Sequence, residues 1–77
     1  MEYKAINLSS LQTACEKHNL TTVDIDTMIS IGLAGKNDLV KILGNGELTA
    51  KLDVTANAFS ASAIKKIEDA GGTANKI

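Results

Sequence analysis

Three groups of residues in this chain have the types that could do chemistry: the carboxylates Asp24 and Asp26, the pair Cys15 and His18, and the glycine-rich Gly44-Asn45-Gly46. Two carboxylates could divide general acid and base roles between them. Residues two apart on a helix point away from each other, however, and Asp24 is placed to cap a helix. Cys15 and His18 could both reach a metal, yet the chain has a single cysteine and a single histidine, too few for a zinc site. His18 is better read as a helix-end imidazole favoured by the dipole, and Cys15 as a small core residue beside Leu11 and Ala14. Gly44-Asn45-Gly46 could cradle a phosphate, but neither the third glycine of a dinucleotide fingerprint nor the Lys-Ser/Thr of a P-loop accompanies it, which leaves a turn. With no nucleophile–base pair and no metal cluster, the chain reads as a non-enzyme without metal, cofactor or small-molecule substrate.

Charge then bears on the partner. The basic residues number eight, all lysine, against nine acids, for a net charge of −1. Phosphate neutralisation needs clustered cations, and without arginine there is no bidentate fork for phosphate or guanine. Composition alone therefore favours a protein partner. At 77 residues the chain is one small domain, 1–77, expected to bury only about 60% of its unfolded surface. Its 44% apolar and 22% charged content is that of a soluble globular chain. Met1 leads into Glu2-Tyr3-Lys4 with no apolar leader, and the lone cysteine suits a reducing compartment, so a cytoplasmic location is expected. The sequons at Asn7 and Asn19 are then chance matches.

The elements that must position these residues follow from periodicity and caps. Glu2 to Leu8 reads as a strand. Ser9, with Gln12 three residues on, reads as a capping box opening a helix over 10–18, whose Leu11, Ala14, Cys15 and His18 share a face and whose stop is Asn19. Asp24 caps a second helix with Ile25, Met28, Ile29 and Ile31 on its buried side, ended by Gly32 with Leu33 as the apolar contact. Leu39 to Leu43, apolar on both sides except for Lys41, predicts a mostly buried strand. Gly44 and Gly46 flank a turn where positive φ is needed. Leu52, Val54 and Ala56 alternate with Lys51, Asp53 and Thr55, a strand with one wet face. Ser60 caps a third helix carrying Ala63, Ile64, Ile67 and Ala70 and closed by Gly71-Gly72, and a short strand through Ala74 and Ile77 ends the chain. The fold class is α/β: a small mixed β-sheet with packed helices in the order β-α-α-β-β-α-β.

The run Lys41, Ile42-Leu43, Gly44-Asn45-Gly46, Leu48, Leu52, Val54, Phe59-Ser60, Ala63, Ile67 and Gly71 resembles, position by position, the best-known segment of the L-fifteen family of large-subunit (50S) ribosomal proteins. The half from Tyr3 to Leu33 is similar to that family's less distinctive middle region. The resemblance implies the irregular ββα superhelix of that family, and a structural rather than catalytic role in the cytoplasmic ribosome. It implies large-subunit ribosomal RNA and neighbouring ribosomal proteins as partners, no membrane contact, and a domain that is monomeric when isolated. Lys36, Lys41, Gly44, Asn45, Gly46, Lys51, Lys65 and Lys66 become the candidate RNA contacts, positioning phosphates rather than reading bases. Family members also resemble a two-part design with a long basic, glycine-rich N-terminal extension. The chain thus reads as the C-terminal globular part of a longer protein, with most of the cationic charge elsewhere.

Overall fold

The computed structural model describes residues 3–77. Its elements are β1 (Tyr3–Asn7), α1 (Leu8–His18), β2 (Thr22–Val23), α2 (Ile25–Ser30), β3 (Leu39–Leu43), β4 (Asp53–Ala56), β5 (Ala58–Phe59), α3 (Ala61–Asp69) and β6 (Thr73–Lys76). The α/β class is as expected, but the single mixed sheet is not. The strands divide into two three-stranded sheets, sheet A in the order β1-β3-β5 and sheet B in the order β2-β4-β6. All four pairings are parallel. Of the expected strand Glu2 to Leu8, Glu2 lies outside the described residues, and Leu8 already belongs to the helix.

The connectivity makes the chain a coil in which each turn adds one strand to each sheet. It passes from β1 to β2, from β3 to β4 and from β5 to β6, crossing from sheet A to sheet B each time. The first and third crossings carry helices α1 and α3. The middle crossing, residues 44–52, is irregular and runs without a helix. Return from sheet B to sheet A takes α2 and the loop after it in one case, and Asn57 alone in the other. Sequence patterning misses β2 and β5 because two residues are too few to establish a period.

The core fills the inside of this coil. Ile6, Val40 and Ile42 from sheet A meet Val23, Val54 and Ala56 from sheet B, with Leu8 and Leu11 of α1, Met28 of α2, Ala63 and Ile67 of α3, and Leu52 closing the space. Most of these are fully buried, and each large aliphatic among them stabilises the fold by ~1.5–3 kcal/mol. The alternation through Leu52, Val54 and Ala56 is as expected, and Phe59 and Cys15 pack on the edge of the cluster. Ile64, expected on the core face of α3, is exposed instead. It follows Ala63 by one residue, which carries it about 100° around the helix and away from the Ala63–Ile67 stripe.

Helix ends are where local sequence speaks most directly. Asp24 accepts from the Thr27 amide at 2.8 Å, and Ser60 accepts from the Ala63 amide at 3.2 Å. Both helices close with two crossed backbone bonds. The Leu33 amide reaches Met28 and that of Gly32 reaches Ile29, while Gly72 reaches Ile67 and Gly71 reaches Glu68. Helix α1 differs from expectation. It starts at Leu8 with Asn7 as an N-cap whose side chain makes no capping bond to the helix, and Ser9 lies inside it. The Ser9 amide is satisfied by the carbonyl of Asn45 at 3.2 Å, so the middle crossing supplies what a capping side chain would have supplied.

Candidate nucleic-acid interface

The middle crossing lies between α1 and α3, and its two glycines pack closely on those helices. A Cβ on Gly44 would fall 2.1 Å from Ser62 Oγ and 2.9 Å from the Ala63 backbone nitrogen. Gly44 does not have positive φ, contrary to expectation; it is glycine because α3 leaves no room for a side chain. Gly46 combines φ of 88° with a Cβ position 2.6 Å from that of Ser9, so both conformation and crowding demand glycine there. The turn of Gly44-Asn45-Gly46 is therefore a close three-layer contact of helix, strap and helix.

Polar side chains hold the strap in place. The Gly44 amide donates to Ser60 Oγ at 3.2 Å, so the hydroxyl that caps α3 also anchors the strap. Asn45 Nδ2 donates to Asn7 Oδ1 at 3.3 Å. Lys66 Nζ donates to the carbonyls of Gly44 at 2.8 Å and Gly46 at 3.0 Å. Farther along, Gln12 Oε1 accepts from the amides of Thr49 and Ala50 at 3.0 and 3.2 Å, a role in the strap rather than in a capping box. Sequence reasoning could not have found Gln12, because its partners lie far along the chain and only the fold brings them near.

The candidate lysines do not converge on one patch. Lys36 is exposed in the loop between α2 and β3, Lys51 is exposed at the end of the strap, and Lys65 is exposed on α3. Lys66 is half-buried, and its ammonium is already engaged by the strap. Lys41 is half-buried on the outer face of sheet A, opposite to the face of Val40 and Ile42. That face, part of a strand expected to be mostly buried, is half-buried at Leu39, Lys41 and Leu43. Register places Tyr3 beside Leu39, Ala5 beside Lys41, and Asn7 beside Leu43, with Ala58 on the far side of Lys41. The outer face of sheet B is polar by contrast, with Thr22, Asp53 and Thr73 in one row and Thr55 and Asn75 in the next.

The remaining chemistry-bearing residues take structural positions. Cys15 Sγ donates to the Leu20 carbonyl at 3.1 Å, tying the end of α1 to the chain that follows. Bonding from the Thr27 amide holds the Asp24 carboxyl below its ordinary value, as expected of a cap. His18 is exposed in the last turn of α1. Among the described residues, no three His, Cys, Asp or Glu side chains gather where they could hold a metal ion, and no helix is long and apolar enough to cross a membrane.

Residues 5–75 match the family that groups ribosomal proteins 50S-L15 and 50S-L18e with a 60S counterpart. The whole chain is 54% identical to a large ribosomal subunit protein uL15 of Phocaeicola vulgatus and 56% identical to one of Bacteroides thetaiotaomicron, covering 52% of each. It is 51% identical over 75 residues to that of Amoebophilus asiaticus, covering 97% of this chain and 49% of the relative. The chain thus spans about half the length of the curated relatives it matches.

Proposed function

The chain belongs to the family of ribosomal proteins 50S-L15, 50S-L18e and their 60S counterpart, and from that premise we propose that it is a structural constituent of the large ribosomal subunit in the cytoplasm. The observation that carries this reading is similarity along the entire chain, at about half identity, to proteins named for that subunit. The domain binds and stabilises folded ribosomal RNA and touches neighbouring ribosomal proteins. It catalyses nothing; its work is to present a rigid surface.

The two kinds of contact use different residues. Lys36, Lys51 and Lys65 are exposed and free to meet phosphates. Such contacts position a protein on RNA without reading its sequence. The strap at Gly44, Asn45 and Gly46 contributes shape, with the carbonyls of Gly44 and Gly46 neutralised by Lys66. The outer face of sheet A, with Tyr3, Leu39 and Leu43 around Lys41, has the apolar character of a protein contact.

Sedimentation of lysate from the source cells tests the assignment. Quantitative mass spectrometry of gradient fractions is expected to find this sequence at one copy per large subunit. Its recovery only at the top of the gradient, apart from both subunits, overturns the reading and turns attention to an interaction module using the same fold.

A further inference from the structure

Helix α1 forms one wall of an open groove of about 350 Å³, with Ile31 and Leu33 opposite. Its lip carries Ser10, Thr13, Lys17 and His18, residues that the resemblance did not single out. Two other grooves of similar size each contain carboxylates, Glu47 and Asp69 in one and Asp53 in the other. This one is lined without any. Lys17 and His18 are exposed, and neither makes a side-chain hydrogen bond or ion pair among the described residues, in contrast to Lys66, whose ammonium is engaged by two carbonyls.

We propose that this groove seats a sugar–phosphate strand of ribosomal RNA, with Lys17 and His18 on the phosphates, the Ser10 hydroxyl on ribose, and the Thr13 hydroxyl, which donates to the Ser9 carbonyl at 3.0 Å, accepting from a ribose 2′-hydroxyl. The proposal rests on the ribosomal reading above and adds a surface to it. Charge complementarity selects the occupant. Lys17 and the His18 imidazole stand at one end of the groove, the positive end of the α1 dipole stands at the other, and no acid lines the space between. From Ser10 to His18 the helix rises about 12 Å, which suits a length of backbone better than one isolated anion. Hydroxyls facing a strand suit RNA, whose 2′-hydroxyl both donates and accepts. The Ile31 and Leu33 wall gives the sugars an apolar surface to rest on.

Lysine acylation footprinting on native large subunits tests this without altering the protein. Lys17 is expected to react roughly tenfold more slowly in the intact subunit than in the free chain, and to recover when the subunit is digested with ribonuclease. Full reactivity of Lys17 in the intact subunit overturns the proposal while the ribosomal assignment stands. Protection that survives complete ribonuclease digestion also overturns it, in favour of an acidic protein neighbour. Absence of the chain from the subunit overturns the assignment and the groove together.

Discussion

The ammonium of Lys66 lies 2.8 Å from the carbonyl oxygen of Gly44, a contact that spans 22 positions of sequence. With the second bond to Gly46, it fixes the one crossing of the coil that has no helix of its own. Adjacent in sequence, Lys65 and Lys66 are therefore not equivalent. Replacing Lys66 by Met leaves two carbonyls without their donor and is expected to cost about 1–2 kcal/mol in a urea melt, below the full value for charged hydrogen bonds because the site is half exposed. Lys65→Met is expected to change stability by less than about 0.5 kcal/mol while lowering affinity for large-subunit ribosomal RNA. Equal stability losses for the two would show that the strap does not depend on Lys66.

Gly44 should tolerate a methyl group poorly, for a steric reason. Gly44→Ala drives a Cβ into Ser62 and the Ala63 backbone nitrogen, and a loss of ~1–3 kcal/mol is expected, the range of overpacking. Ser62→Gly in the same chain removes the two side-chain atoms but not the backbone nitrogen. The double variant should recover part of the loss, measured as a coupling in a double-mutant cycle. A fully additive pair would mean that Gly44 is needed for its backbone and not for space.

How much of this was legible depended on how far each signal reaches along the chain. Asp24, Ser60, Gly32 with Leu33, and Gly71 with Gly72 all act within a few residues of themselves, and each was placed correctly from the sequence. The alternation through Leu52, Val54 and Ala56 was equally local. Ser9 was misplaced because the acceptor for its amide is Asn45, on another crossing of the coil. The division into two parallel sheets was hidden for the same reason: alternation says which face of a strand is buried, not which strand lies beside it. Strand β3 shows the limit plainly, since aliphatics on both of its faces predict a mostly buried strand where the face carrying Lys41 is half-buried. Of the two glycines flanking Asn45, Gly46 has the positive φ that a turn predicts, whereas Gly44 owes its identity to the helix beside it. Of the groove beside α1 the sequence showed only scattered polar residues.

Asn57 forms the whole return from β4 to β5 and holds it by imitating a strand. Its backbone amide donates to the Val40 carbonyl at 3.0 Å, and its Oδ1 accepts from the Val40 amide at 2.8 Å. Val40 is fully buried, so that amide has no water to turn to. Asn57→Ala is expected to cost about 1–3 kcal/mol, the penalty of a buried donor left unmade. Asn57→Asp keeps an acceptor in place and should lose less. Urea midpoints of the two variants check the order, and an Ala variant as stable as the Asp variant would show that a solvent molecule replaces the side chain.

Asp24 gives the acid limb of stability a specific contributor. The Thr27 amide, bonded to its carboxylate, holds the folded pKa below the ordinary value of 3.8. As the pH falls, the unfolded chain takes up this proton before the folded chain does, so protonation favours unfolding. The contribution of the cap is complete above the unfolded value and is lost as pH drops through the lower folded one. Asn at position 24 can cap the helix without titrating. Melting temperatures of the wild type and Asp24→Asn, compared at about pH 6 and about pH 3, should therefore show the wild type losing more on acidification. Contributions common to both proteins cancel in the comparison. Parallel losses would mean that the charge on Asp24 is no better bound in the folded chain than in the unfolded one, and that the cap works by its hydrogen bond alone.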